Sequence, residues 1–159
     1  MNQCLIHLFL SLGVPLLITT STGCATRSID PPKGVRPQTV QIEVTGYDSG
    51  PKSCGWEYSG CFGLGGPVYS YGPNKGKPKK VGITASGAKA QKGTLAADTA
   101  HYPFGTVMYI PGYGYGVVED RGGAIKGPNK LDLWFPSETQ ALKWGRQKLA
   151  VKVWVPSKR

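Results

Sequence analysis

Histidine is almost missing from this sequence of 159 residues, which contains only His7 and His101. A His-rich zinc hydrolase is therefore excluded, because catalytic zinc needs about three protein ligands and commonly two or more histidines. Acidic residues are also scarce, since nine Asp and Glu stand against 19 Lys and Arg and give a formal net charge of +10. Acid–base chemistry must rest mainly on these few carboxylates. The positive charge favours a polyanionic partner, such as nucleic acid, an anionic membrane surface or an acidic wall polymer.

Charge of either sign is absent from residues 1–24, where an almost continuous apolar run covers residues 5–18. This run has the length of a secretory signal core and is shorter than the roughly 20 residues that span a bilayer as a helix. Small residues ending in Gly23 and Cys24 follow it and resemble a bacterial lipobox. We predict a lipoprotein signal peptide over residues 1–23 and lipidation of Cys24. Plain secretion and an uncleaved N-terminal anchor are the alternatives.

Export leaves one cysteine pair, because Cys4 would leave with the signal peptide and Cys24 would take the lipid. In an oxidising compartment Cys54 and Cys61 are then expected to form a disulfide. Such a bond closes a short loop, so its contribution is local. Two free thiols are the alternative.

The exported part divides into a tether and one domain. Residues 24–38 begin with the lipidated cysteine and continue with a polar, proline-rich sequence that is typical of a flexible linker with little order. Residues 39–159 are enough for a single domain. Apolar and polar residues alternate over residues 39–45, which predicts a half-buried strand.

A long segment rich in Gly, Pro and Ser covers residues 47–80. Its length exceeds that of an ordinary connection, so it is functional or disordered, and the cysteine pair favours an ordered segment. Its aromatic residues would form a wall on which sugars stack, or else the core of the loop itself: Trp56, Tyr58, Tyr69 and Tyr71.

Short strands and tight turns dominate from residue 81 onward. The predicted strands are residues 81–85, 93–97, 106–110, 115–119, 131–135 and 151–155. Ser137 and Gln140 have capping-box spacing and predict one helix that ends between residues 145 and 148. These elements indicate a small, closed all-β architecture with one helix near the C-terminus.

Three aspartates end or interrupt apolar strands: Asp98, Asp120 and Asp132. A carboxylate at such a position is costly unless it is paired or hydrogen-bonded. Apolar surroundings and a neighbouring carboxylate both raise the pKa of a carboxyl group, and this makes an acid for glycosidic cleavage. The alternative is that each aspartate caps a turn or pairs with a nearby cation.

The motifs around these aspartates resemble the three-aspartate (3D) domain family over roughly residues 40–154. The aspartates are 22 and 12 positions apart, close to the spacing of the family. The 3D domain also forms the C-terminal domain of membrane-bound lytic murein transglycosylase A. The resemblance implies a six-stranded double-psi β-barrel. The matching motifs around the aspartates are Thr94-Leu95-Ala96-Ala97-Asp98-Thr99, Glu119-Asp120-Arg121-Gly122-Gly123-Ala124-Ile125-Lys126-Gly127 and Leu131-Asp132-Leu133-Trp134-Phe135.

The resemblance also implies an activity. A lytic transglycosylase cleaves the β-1,4 bond between N-acetylmuramic acid and N-acetylglucosamine in peptidoglycan and leaves a 1,6-anhydro end. Asp132 would act as general acid and then as base, with Asp120 and Asp98 beside it to raise its pKa and hold sugar hydroxyls. Because the substrate supplies the nucleophile, no metal and no cofactor are expected. His101 is then predicted to be a surface or turn residue.

Other residues are predicted to bind substrate. Thr84 and Ser86 lie in a segment that resembles a strand and turn of double-psi barrels; their hydroxyls would bind sugar or stabilise the turn. Lys126 and Trp134, within the aspartate motifs, are assigned to substrate as well. A lysine cluster would meet peptidoglycan carboxylates or form an ordinary solvated face: Lys75, Lys77, Lys79, Lys80, Lys89 and Lys92.

The predicted partners are peptidoglycan glycan strands and, through lipid on Cys24, a bacterial membrane. We expect a monomer in the cell envelope, on the periplasmic side of a membrane, or secreted. Export disfavours nucleic acid as a partner. Two other functions fit the sequence: a non-catalytic, expansin-like peptidoglycan-binding lipoprotein, and a structural envelope lipoprotein that adheres to the wall by its charge.

Overall fold

A computed structural model describes residues 27–156 of the chain. The signal peptide at 1–23 and the lipidation site Cys24 lie outside the described residues and stay predictions. Within residues 27–156, no helix is both long and apolar enough to cross a membrane.

Six of the eight strands close into a barrel. In chain order, the strands are β1 (Gln38–Tyr47), β2 (Trp56–Tyr58), β3 (Pro67–Tyr69), β4 (Thr94–Ala97), β5 (Val107–Ile110), β6 (Gly114–Asp120), β7 (Lys130–Trp134) and β8 (Gln147–Trp154). The barrel order is β1-β7-β4-β6-β5-β8, and the pairs β1/β7 and β4/β6 are parallel. The predicted fold class, an all-β six-stranded barrel with one short helix near the C-terminus, is confirmed.

Apolar residues at alternate positions of the strands fill the barrel. Ile42 and Val44 of β1 and Leu131 and Leu133 of β7 are almost fully buried, together with residues of the other four barrel strands. Successive side chains of a strand point to opposite faces. The residues between these apolar positions therefore point outward, where a ligand can reach their side chains.

Within residues 27–156, two α-helices flank these strands: α1 (Pro51–Cys54) and α2 (Glu138–Trp144). The predicted cap of α2 is present, because the Ser137 hydroxyl accepts a hydrogen bond of 3.4 Å from the Gln140 amide. The last strand begins at Gln147, earlier than the predicted residue 151.

Residues 81–85 form no strand, which corrects the sequence prediction. They lie in turns joined by one isolated bridge between Ile83 and Lys89. The Thr84 hydroxyl contacts the Ala88 carbonyl oxygen at 3.1 Å, and Gly82 and Gly87 have positive φ angles of 73° and 89°. These turn-forming contacts outweigh the strand preference of the apolar residues.

Residues 27–37 of the expected flexible tether, which we call the strap, contact the barrel at three points although most of them are exposed. The Arg27 guanidinium contacts both oxygens of the Glu119 carboxylate, at 2.9 and 2.8 Å. The Trp154 indole donates a hydrogen bond of 3.1 Å to the Val35 carbonyl oxygen. Ile29 lies against Gly93, where a side chain would collide with it. These contacts fix a segment whose composition alone predicts little order.

The long segment 47–80 is ordered, as predicted. It contains α1, a 3₁₀ helix at Cys61–Gly63 and the antiparallel hairpin of β2 and β3. The predicted disulfide is not formed, and both cysteines are free thiols. The Cys54 thiol lies 3.1 Å from the Asp48 carbonyl oxygen, whereas Cys61 is exposed to solvent in the 3₁₀ helix.

Candidate functional site

A row of four outward-facing residues crosses the barrel surface. Thr45 on β1 pairs with Asp132 on β7, Asp132 pairs with Ala96 on β4, and Ala96 pairs with Asp120 on β6. The backbones of the two aspartates are thus two strand spacings apart, roughly 10 Å. Ala96 lies between them in the strand register, and its small side chain leaves space for a ligand to contact both carboxyl groups.

A β-bulge turns Asp120 toward this row. Leu95 pairs with Val118, but the next residue, Ala96, pairs with Asp120, so Glu119 is an extra residue on β6. Strict alternation would place Asp120 on the same face as Val118, which is fully buried in the core. The extra residue reverses the alternation and points Asp120 outward, an arrangement that often occurs next to functional sites.

Asp132 is a protonatable acid in this row. Burial raises its pKa to about 6, and the nearby Asp120 contributes in the same direction. The Thr45 hydroxyl donates a hydrogen bond of 2.9 Å to Asp132 Oδ1 and lowers the pKa in part. A carboxyl group with a pKa near 6 can hold a proton close to neutral pH and release it readily, which suits a general acid.

Three donors hold the Asp120 carboxylate in place. The backbone amides of Ala85 and Arg121 each donate to Oδ1 at 2.9 Å, and the Tyr47 hydroxyl donates to Oδ2 at 3.0 Å. Burial and the nearby Asp120 strongly raise the pKa of Tyr47, so its hydroxyl remains a neutral donor. Asp120 is therefore a fixed negative charge beside Asp132.

The two aspartates lie in a cleft of about 300 Å³, near the lower end of the range for ligand sites. Segment 47–80 forms one wall of the cleft, and the turn after β6 forms another. Tyr71 rests on Gly55, where any side chain would collide with its ring. The Lys79 ammonium lies 4.2 Å from the centre of the Tyr69 ring. The outer wall residues are Ser49, Ser53, Tyr69, Tyr71, Lys79, Lys80 and Arg121.

Asp98 lies outside the cleft, which corrects the expectation that three aspartates share one site. Its carboxylate accepts hydrogen bonds from the backbone amides of Gly127 at 2.9 Å and Ala100 at 3.1 Å. These bonds lower its pKa, the opposite of the change at Asp132. Asp98 therefore caps a turn. His101 follows in the same turn and is exposed, as predicted.

Most of the residues predicted to bind substrate do not line the cleft. Thr84 lines the cleft, but its hydroxyl lies 3.0 Å from that of Ser86 and 3.1 Å from the Ala88 carbonyl, so both side chains stabilise a turn. The Trp134 indole donates a hydrogen bond of 3.0 Å to the Ser49 hydroxyl, and Trp134 itself does not line the cleft. Lys126 is exposed in a separate groove.

The lysine cluster and the aromatic residues divide between the cleft and other places. Lys79 and Lys80 line the cleft, whereas the other four lysines of the cluster are exposed outside it. Tyr69 and Tyr71 line the cleft as well. Trp56 packs within the segment, since its ring meets Tyr58 edge-on at 5.2 Å. Two of the four aromatic residues therefore lie on the cleft surface and one packs inside the segment, and stacking of sugars on them stays a prediction.

Sequence reasoning missed the contributions of β1. Thr45 and Tyr47 bind the two cleft aspartates, yet neither was a candidate. The sequence pattern that could have identified them is the alternation of apolar and polar residues in β1, which leaves every second residue on the outer face. That pattern became informative only with the barrel order, which places β1 beside β7.

Comparison with protein families gives one match: residues 93–156 match the family described as the 3D domain. The expected resemblance to the 3D domain family is thus confirmed over these residues. The match contains Asp98, Asp120 and Asp132 and covers the five barrel strands from β4 to β8. The remaining barrel strand, β1, precedes the matched residues. The matched residues therefore need β1, which precedes them, to complete the barrel.

Two curated relatives come from Bacillus subtilis (strain 168). Cell wall-binding protein YocH is 41% identical over 76 residues, covering 45% of this chain and 26% of the relative. Putative cell wall shaping protein YabE is 36% identical over 76 residues, covering 45% of this chain and 18% of the relative. The chain thus spans about a quarter or less of the length of these relatives.

Two crystal structures of MltA from Escherichia coli, one described as a unique lytic transglycosylase fold, also match this chain. Each is 22% identical to the chain, with TM-scores of 0.37 and 0.39. They cover 46% and 51% of this chain, and 28% and 30% of MltA.

Proposed function

We propose that the cleft binds peptidoglycan glycan strands and cleaves them as a lytic transglycosylase, with Asp132 as the acid. The observation that supports this most directly is a cleft carboxyl group whose pKa is raised to about 6 beside a second, fixed carboxylate. The curated relatives are named for wall binding and wall shaping, which supports a wall polymer as the ligand. The cell envelope or its exterior is then the place of action.

The reaction needs one carboxyl group that acts first as a general acid and then as a general base. Protonated Asp132 gives its proton to the glycosidic oxygen as the bond to C1 of N-acetylmuramic acid breaks. The resulting Asp132 carboxylate then takes the proton from the 6-hydroxyl of the same sugar as that oxygen bonds to C1. The products are a 1,6-anhydro end and a free hydroxyl on N-acetylglucosamine.

Asp120 suits a supporting role in this reaction. Its oxygens already accept bonds from three donors, and as a fixed negative charge it favours the protonated form of Asp132 and a developing positive charge at C1. A hydrolase would need a second carboxyl group free to activate water or attack C1. The fixed state of Asp120 therefore favours transglycosylation over hydrolysis.

Product analysis of digested peptidoglycan tests the proposal. We expect muropeptides that end in 1,6-anhydromuramic acid, and a loss of at least about a hundredfold in rate for Asp132→Asn. Asp98→Asn is the matched control, because Asp98 lies outside the cleft; this variant should keep its rate per folded molecule. Products with reducing ends only would contradict the proposal, as would an unchanged rate in Asp132→Asn with its fold intact.

A second candidate function is binding of peptidoglycan without cleavage. The name of YocH as a cell wall-binding protein favours it. Sacculi would then retain the protein without any change in their muropeptides, and Asp132→Asn would bind as tightly as the natural chain. The same digestion experiment, with a sedimentation assay for binding, separates the two functions.

A further inference from the structure

A second groove starts at Asp132 and leads away from the cleft along the outer face of the barrel. Its first part lies between β7 and α2, and its second part follows β1 toward β8. The two parts share Glu43 and Lys130. We call them together the side groove, whose main lining residues are Glu43, Thr45, Lys126, Lys130, Asp132, Leu142, Arg146 and Lys148.

Positive charge dominates the side groove beyond Asp132. Strand register explains part of this, because Glu43 on β1 pairs with Lys130 on β7 and with Lys148 on β8, so these residues share one face. Arg146 contacts the Glu43 carboxylate at 2.6 Å. Within residues 27–156, Lys126, Lys130 and Lys148 form no salt bridge. Three lysines are therefore available to a ligand with several negative charges.

We propose that the side groove binds the stem peptide of the muramoyl residue at Asp132 through the carboxylates of that peptide. This inference rests on the proposed function, because it takes the glycan strand to lie across Asp132. N-acetylmuramic acid carries its peptide on the lactyl group, so the peptide leaves the glycan next to the bond that is cleaved. A stem peptide offers several free carboxylates, and the side groove offers several lysines in reach.

The dimensions of the groove fit a peptide of this kind. Lys130 precedes Asp132 by two residues on β7, about 7 Å, and Lys148 lies two strand spacings from β7, roughly 10 Å. Four extended residues reach at most about 14 Å. Leu142 on α2, 72% exposed, adds apolar surface in the groove where the methyl groups of alanine residues can pack.

Two glycan substrates test the inference: strands with their stem peptides, and the same strands after an amidase has removed the peptides. We expect the full exported chain to bind the first about tenfold more tightly, from two or three ion pairs at a protein surface. Lys130→Ala/Lys148→Ala should lose this preference and bind stripped strands as before. Lys33→Ala/Lys152→Ala removes the same charge outside the side groove and should keep the preference.

Four other results of this experiment would contradict the inference, the proposed function or both. Equal binding of both glycans by the natural chain, with 1,6-anhydro products formed, would overturn only the stem-peptide inference. Equal losses in the two double variants would overturn it as well, because bulk charge would then explain binding. Displacement of peptide-bearing strands by wall teichoic acid from the side groove would assign the lysines to phosphates instead. Binding of neither glycan would overturn the proposed function together with the inference.

Discussion

Two neighbours change the pKa of Asp132 in opposite directions. The Thr45 hydroxyl lowers it by a hydrogen bond, and the negative charge of Asp120 raises it. Thr45→Val removes the donor at nearly constant shape and should therefore move the pKa of Asp132 above about 6. Asp120→Asn removes the charge while its amide oxygen can still accept from the Ala85 and Arg121 amides, so it should move the pKa below that of the natural chain.

Carboxyl ¹³C chemical shifts measured against pH give both pKa changes directly. The activity profile offers a second readout, because a general acid must be protonated and the rate falls as the pH rises through its pKa. The falling limb should shift to higher pH in Thr45→Val and to lower pH in Asp120→Asn. Shifts of the same sign in both variants would contradict this account of the site.

The raised pKa of Asp132 also makes stability depend on pH. Between about pH 4 and pH 6 the folded chain keeps the proton while the unfolded chain, with a pKa near 3.8, has lost it. The stabilisation from this proton is complete below pH 4 and is lost as the pH rises through about 6. Above pH 6 the ionised, buried group costs up to about 3 kcal/mol of the free energy of unfolding.

Asp132→Asn should remove this cost. In urea unfolding, we expect the variant to be more stable than the natural chain at pH 7.5 and nearly equal to it at pH 4. Asp30→Asn changes an exposed aspartate of the strap and should show no such change with pH. An Asp132→Asn variant whose stability difference is independent of pH would show that burial does not raise this pKa.

The sequence was informative about single residues only where a motif accompanied them. Asp120 and Asp132 were predicted from the resemblance to the 3D domain, and the structure brings both into one cleft. Asp98 has the same kind of motif, yet its carboxylate accepts hydrogen bonds from two backbone amides and lies outside the cleft. Nothing in the sequence distinguishes a turn-capping aspartate from a cleft aspartate, because the difference depends on which backbone amides lie nearby in the folded chain.

At the scale of elements, the strap and the bulge of β6 act on one another through Glu119. Glu119 is the extra residue that points Asp120 into the cleft. Its carboxylate binds Arg27 and Thr94, and only 12% of its side chain is exposed. The Glu119 carbonyl oxygen also accepts a hydrogen bond of 3.0 Å from the Ser86 amide. Arg27 therefore serves as a positioning residue for the bulge.

Arg27→Ala should loosen the bulge and lower the free energy of unfolding by about 1–3 kcal/mol, because Glu119 keeps only one neutral donor. Faster hydrogen exchange at the Ser86 amide and weaker glycan binding should accompany the loss. Arg27→Lys keeps the charge and should restore binding in part, whereas Lys33→Ala in the same strap should change nothing. Full glycan binding by Arg27→Ala would restrict the strap to a stabilising role.

Elements were predictable where periodicity determined them. The alternating residues of β1 and the apolar strands from residue 93 onward gave the six barrel strands, and Ser137 gave the start of α2. Prediction failed at residues 81–85, and it did not include the contacts of the strap with the barrel. In both places, contacts that are distant in sequence or specific to a turn outweigh local composition: Thr84 with Ala88, and Arg27 with Glu119, 92 residues later.

At the scale of the whole molecule, the net charge is +10, and the described lysines divide between the cleft, the side groove and other exposed positions. Lys79 and Lys80 lie in its wall, and the side groove holds Lys126, Lys130 and Lys148. Four further lysines are exposed and do not line the cleft: Lys75, Lys77, Lys89 and Lys92. We expect these four to attract an anionic wall over longer distances, an effect that salt screens beyond about 8 Å at physiological ionic strength.

Replacing these four lysines by glutamine should therefore lower the affinity for sacculi at 50 mM NaCl and reduce the dependence of that affinity on salt. At 500 mM NaCl the variant and the natural chain should bind almost equally, because screening has removed the long-range attraction in both. The rate of cleavage per bound molecule should be unchanged, since the four residues do not line the cleft. A parallel loss of affinity at both salt concentrations would instead assign these lysines to direct contacts with the glycan strand.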